Sequence, residues 1–252
     1  RDKALVSLNS ILAYSPAIPH WGYNSNARRY WDFLYGGKLS RIERQIHHYG
    51  SSLNAIPVLS EYRENPDDFY LLRVGYGGMM APLTNIDREG FASAAFHSFP
   101  DTLKWDAYSG DYGPALFGHA IDTATYLVKH PEFGWQAFGG NLTEDGGWVK
   151  VVPKDSFRMR VYLAPHGLWL TLDAGAFDAV EFHPETGTAR ITVSSGPVPT
   201  QTARLRLEQP ARPDGAATYA PASQLPLENG AYSIDLASGP ATIELKSGSS
   251  PR

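Results

Sequence analysis

Apolar positions change their spacing once along the chain. Leu5, Leu8, Ile11 and Leu12 recur at helical intervals and predict a helix from Lys3 to Tyr14, stopped by Pro16. Asn26 is placed to cap a short helix from Ala27 to Leu34, and Gly36-Gly37 ends it. Ser40 and Glu43 form a capping box ahead of Ile42, Ile46 and Tyr49. Gly50-Ser51-Ser52 then interrupts, and a further helix is expected from Leu53 to Arg63, with Pro57 tolerated only in its first turn. Asn65 to Asp68 reads as turn and cap for a helix from Phe69 to Tyr76, ended by Gly75, Gly77 and Gly78. A last helix is predicted from Pro114 to Lys129, with Leu116, Ala120, Ala124 and Leu127 on its apolar face.

After Gly134 the period becomes two. Trp148 to Val152, Phe157 to Leu163, Leu168 to Leu172, Ala179 to His183 and Ala189 to Val193 are short alternating runs fenced by Gly, Pro or Asp, the pattern of an antiparallel sandwich. Arg158, Arg160 and Tyr162 alternate with Phe157, Met159 and Val161, which predicts a sheet with one wetter face. Pro184 to Gly187 reads as a hairpin loop. Ala203 to Glu208, Tyr232 to Leu236 and Ile243 to Lys246 add strands, and Pro210 to Pro226 reads as a surface loop. The fold class expected is therefore α+β, in two parts: helical residues 1–133 and a β-sandwich over 134–246, with 247–252 a flexible tail. Long, glycine-rich connections between the helices do not suit a compact bundle; they suit a toroid with its loops gathered at one rim.

Composition narrows the function. The 252 residues carry a net charge of -4 and no basic run, which disfavours nucleic acid as a partner. The absence of cysteine removes disulfide, thiolate and cysteine–zinc chemistry. No apolar run approaches the roughly 20 residues that span a bilayer, so no membrane insertion is expected. The chain starts at Arg1 rather than Met, which reads as the interior of a longer product.

Candidate chemistry gathers between Phe96 and Asp122. This span holds Asp101, Asp106, Asp111, His97, His119, Trp105, Tyr108 and Tyr112, broken by Pro100, Gly110, Gly113 and Pro114. Such a loop suits a sugar ring: aromatic faces cover its apolar C–H surfaces, and carboxylates accept its hydroxyls. Glycoside hydrolysis needs two carboxyl groups flanking the scissile bond, one held protonated as acid. Asp111 and Asp106 are the candidates for that work, with Glu61 near a helix end as a third. Trp21, Tyr23, Trp105, Tyr108 and Tyr112 are candidate stacking platforms, with His97 and His119 as hydroxyl partners. The competing roles are helix capping for Asp111, at three residues before Pro114, and ordinary packing for the rings. Trp135, Trp148 and Trp169 are assigned to packing. Neither a metal site nor a cofactor is called for: His47-His48 diverge on a helix and no spaced histidine motif occurs.

The strings GSSLNAIPVLSEYRENPDDFYLLRVGYGGMMAPL and FHSFPDTLKWDAYSGDYGPALFGHAIDTATYL, followed by a β-rich tail, resemble the C-terminal portion of a six-hairpin glycosidase-like family, over roughly residues 17–193. That resemblance implies a partial (α/α)6 toroid ahead of the sandwich. It also implies glycoside hydrolase activity on a poly- or oligosaccharide, secretion or a periplasmic location, and an N-terminal portion of the same gene product that completes the toroid. A polysaccharide lyase is the rival enzyme, with His20, Tyr23, Asn24, Arg28 and Arg29 as its parts, but the acidic loop would repel a polyuronate. A non-catalytic carbohydrate-binding fragment is the third reading.

Overall fold

The computed structural model describes residues 2–12, 48–80, 83, 88–90, 113–209 and 218–248. The chain divides into two compact units, residues 1–122 and 123–252.

Among the described residues the first unit holds four helices: α1 (Asp2–Leu12), α2 (His48–Glu64), α3 (Phe69–Met80) and α4 (Gly113–Asp122). Ala55, Val58, Leu59 and Tyr62 of α2 recur at helical spacing and are buried, as are Leu71, Leu72, Val74 and Met79 of α3. Asp68 caps α3, its Oδ1 accepting the amides of Tyr70 and Leu71 at 3.1 and 3.2 Å.

Two helix-breaking residues act differently from expectation. Pro57 lies inside α2, on an exposed position, instead of in the first turn. Gly75, Gly77 and Gly78 are buried within α3, which runs on to Met80. Their smallness serves packing: a Cβ on Gly75 would lie 2.6 Å from Leu59 Cγ. Gly118 of α4 is tighter still, since a Cβ there would lie 2.5 Å from the Ser52 carbonyl carbon.

These helices do not form the expected toroid. Among the described residues the chain is mostly strand, and α2 is the hub against which α1, α3 and α4 each pack, without successive inner and outer hairpins. The expected α+β toroid-plus-sandwich architecture therefore gives way to a β-sandwich-like fold with a small helical cluster. The last predicted helix shows why. It ends at Asp122, and Thr125–His130 is strand, buried from Thr125 through Val128. Leu127 satisfies helical and strand spacing equally, and the long-range pairing of this run with two other strands decides the matter.

The second unit is a sandwich of two sheets. One has the order β11-β12-β9-β6-β5-β1-β2, formed by Leu227–Glu228, Ala231–Asp235, Thr202–Glu208, Leu168–Leu172, Arg160–Leu163, Thr125–His130 and Gly134–Phe138. The other has the order β10-β13-β8-β7-β4-β3, formed by Thr218–Pro221, Ala241–Gly248, Thr188–Ser194, Ala176–His183, Trp148–Pro153 and Gly140–Asp145. The described pairings are antiparallel except β1 with β5, which run parallel. Val161, Leu163, Leu168, Leu170 and Leu172 of the first sheet meet Val149, Val151, Val180, Phe182, Ile191 and Leu245 of the second in one core.

Alternation leaves the opposite face of the second sheet polar, and its charges alternate across four strands. Lys150 pairs with Glu181 at 3.5 Å, and Arg190 with Glu244 at 3.6 Å, while Glu181 and Arg190 stand opposite one another in register. The first sheet has a wetter face where Arg160, Thr171 and Arg206 lie side by side in register, but not around Arg158 and Tyr162. Tyr162 is fully buried, edge-on to Tyr126 at 6.0 Å and against Trp169 at 5.6 Å. Arg158 is 5% exposed; its Nε donates to Asp155 Oδ2 at 3.0 Å and its Nη1 to the Ala124 carbonyl at 3.0 Å. Thr218–Pro221, expected as loop, is an edge strand on β13.

Candidate functional site

Most of the residues that sequence reasoning selected lie outside the described residues: Trp21, Tyr23, His97, Trp105, Asp106, Tyr108, Asp111 and Tyr112. Glu61 and His119 lie within them. Glu61 is half-buried near the end of α2. His119, on α4, donates from Nδ1 to the Met79 carbonyl at 2.9 Å, which ties α4 to the end of α3. That bond gives His119 a structural task. Asp122, one turn on, is buried.

The sandwich carries an open groove that the sequence did not single out. Its volume is about 460 Å3, and its walls include Lys129, Trp135, Glu144, Asp145, Trp148 and Glu185. Three hairpins build it. β1 and β2 bring Lys129 opposite Trp135, β3 and β4 bring Asp145 opposite Trp148, and the β7–β8 loop supplies Pro184 and Glu185. Between Asp145 and Trp148 stand only Gly146 and Gly147, at φ 54° and 83°. A two-residue turn with positive φ at both positions matches the twist of the strands it joins, and glycine adopts it without strain.

The two tryptophans are braced from behind. Trp135 is half-buried and meets core residue Phe182 at 6.0 Å and 64°. Lys129 Nζ lies 5.6 Å from its ring centre. Trp148, also half-buried, has the Arg190 guanidinium over its ring at 4.1 Å and the His183 ring perpendicular to it at 5.1 Å. Arg190 is held in turn by Glu244. Ring orientations fixed this way leave little side-chain entropy to lose when a flat ligand docks.

The groove is acidic. Glu144, Asp145 and Glu185, all exposed, face one ammonium, Lys129. Beside it, in the β1–β2 turn, Phe133 is 64% exposed and stacks on His130 at 4.7 Å. His130 Nδ1 accepts the amides of Glu132 and Phe133 at 3.1 and 3.2 Å, so this aromatic tip has a fixed shape. Below the β7–β8 loop, Tyr219 is buried and donates its hydroxyl to the Gly187 carbonyl at 2.7 Å. Burial pushes its phenol up to about 12. Arg206, elsewhere on the sandwich, has its pKa raised by its hydrogen bonds to Asp173, the shortest 2.8 Å from Nη2 to Oδ2.

Trp135 and Trp148, assigned to packing from the sequence, are thus the rings that the structure brings to an open surface. A signal that went unread for Trp148 was Asp145-Gly146-Gly147-Trp148: a glycine pair between strand-forming residues marks a hairpin and sets its flanking side chains at a tip. Among the described residues no group of three or more His, Cys, Asp or Glu is arranged to hold a metal ion. No described helix is long and apolar enough to cross a membrane. No curated protein and no solved structure matches the chain. The model of a family of unknown function, DUF5695, matches residues 1–243, so the chain belongs to that family.

Proposed function

We propose that this chain is the carbohydrate-holding part of a glycan-processing protein, and that the sandwich groove binds a segment of an oligosaccharide. The observation that carries this reading is the pairing of two half-exposed, braced tryptophans with three carboxylates in one open groove. Sugar rings present apolar C–H faces and a rim of hydroxyls, and this wall chemistry complements both. An open groove also admits a chain, whereas a closed cavity admits only a small molecule. The acidic lining disfavours uronate polymers, because like charges would have to be brought together. Glycoside hydrolysis by Asp111 and Asp106 is proposed from their setting among aromatics and glycines in the sequence; the groove supplies binding and needs no catalytic role.

The test is titration calorimetry of the chain with neutral, amino and uronate oligosaccharides, with reducing-end release measured in parallel. Saturable binding of neutral or amino oligosaccharides is expected, weakened about tenfold or more by Trp148→Ala, since a stacked aromatic contact contributes about 1.4 kcal/mol or more. If no oligosaccharide binds, or if Trp148→Ala binds as tightly as the parent, the reading is wrong. Release of reducing ends that Asp111→Asn abolishes would add hydrolysis to binding.

A further inference from the structure

We propose that the groove discriminates among sugars by charge and prefers glycans bearing free, protonated amino groups over neutral or N-acetylated ones. This rests on the carbohydrate reading above and narrows it to a substrate class. Two separate features of the walls point to a cation. First, both aromatic walls already attract one: Lys129 Nζ lies 5.6 Å from the ring centre of Trp135, and the Arg190 guanidinium 4.1 Å from that of Trp148. Indole faces are the most electronegative surfaces among aromatic side chains, and here they are fixed in place. Second, the carboxylates at the rim exceed the cations. Glu144, Asp145 and Glu185 line the groove with Lys129 as its lining cation, and Arg190, which shares Glu244 with Lys246, lies against Trp148, so three carboxylates still exceed two cations.

Neighbouring opposite charges do not cancel this excess. Lys150 is paired with Glu181 and Lys246 with Glu244, so those lysines lie in the cross-strand charge ladder and not among the groove walls. The surplus carboxylates therefore face solvent and whatever enters the groove. An alkylammonium on a pyranose would place its charge between a ring face and a carboxylate while the sugar's C–H face covers the other tryptophan. N-acetylation removes that charge and adds bulk, and a uronate reverses it.

The experiment compares three oligomers of equal length at pH 6 in low salt: a glucosamine oligomer, its fully N-acetylated counterpart and a neutral glucan. Spermidine serves as a cation without a sugar ring. The expected result is about five- to tenfold tighter binding of the glucosamine oligomer, a preference that shrinks at high salt. Glu185→Gln together with Asp145→Asn should erase the preference, so that within this variant the glucosamine oligomer binds no more tightly than the neutral glucan. Equal affinity for the three oligomers would overturn the charge preference and leave the carbohydrate reading intact. Binding of spermidine as tight as that of the glucosamine oligomer, or no oligomer binding, would overturn the carbohydrate reading as well.

Discussion

Tyr219→Phe probes the base of the groove through one buried hydroxyl. The Tyr219 O–H donates to the Gly187 carbonyl at 2.7 Å from a nearly inaccessible position on β10. Gly187 closes the β7–β8 loop that carries Pro184 and Glu185. Phenylalanine keeps the ring against His166, whose centre lies 5.5 Å away, and removes only the donor. A net hydrogen bond contributes about 1 kcal/mol, and the carbonyl left behind adds to the loss, so the variant should be less stable by about 1–2 kcal/mol near pH 8. The same hydroxyl predicts how that gap changes with pH. Its folded pKa is raised from 10.0 to about 12 because burial penalises the phenolate. Below pH 10 both folded and unfolded states keep the proton and the contribution is complete. Above it the unfolded chain releases the proton first, so stability falls as pH rises through 10 towards 12. By pH 11 the parent should have lost about 1.4 kcal/mol that the variant never had to lose. Urea unfolding at pH 8 and pH 11 measures this directly. The two stabilities should nearly meet at pH 11, and a gap that stays constant between the two pH values would refute the account.

Other outcomes follow from single contacts. Gly118→Ala should lower the stability of the helical unit by about 1–3 kcal/mol despite alanine's better helix propensity of about 1 kcal/mol, because its Cβ would meet the Ser52 backbone at 2.5 Å; a rise in melting temperature would contradict this. Arg158→Leu should cost about 1–3 kcal/mol by leaving the Ala124 carbonyl without its charged donor, and Arg158→Lys should not fully restore it; denaturant midpoints decide. Replacing Gly147 by Ala should cost about 1 kcal/mol or more, through its φ of 83° and a Cβ 3.1 Å from His183 Nε2, and should weaken sugar binding by moving Trp148; unchanged calorimetric affinity would separate the turn from the site.

Two kinds of strand were legible in the sequence. Leu168–Leu172 shows as a short apolar run, buried at every position but Thr171, and Ala189 to Val193 sits inside Thr188–Ser194, because Ala189, Ile191 and Val193 point to the core while Arg190 and Thr192 do not. Gly134–Phe138 and Gly140–Asp145 were not legible. They lie on sheet edges, and Asn141, Thr143, Glu144 and Asp145 give the second no apolar face to read. The groove draws Trp135, Glu144 and Asp145 from these two strands, so a reading that missed the strands missed the site. Among the helices, α2 was readable from Leu53 to Arg63. Its first turn was not, because Gly50-Ser51-Ser52 reads as a break, while Ser52 is buried where α4 packs through Gly118. A glycine signals a break in isolation and a close contact in a packed helix, and only the partner tells which.

The parallel pairing of β1 and β5 bears on how this protein can be divided. Change of hydrophobic period marks a border at 133/134, whereas the compact units meet between Asp122 and Thr123. The residues between include β1, which lies inside its sheet with β5 on one side and β2 on the other. A gene fragment opening at Thr123 keeps that strand and its two ladders. One opening at Gly134 deletes it, leaves two rows of backbone amides and carbonyls without partners, and strips the groove of Lys129. The first fragment should be recoverable as a monomer, and the second should aggregate.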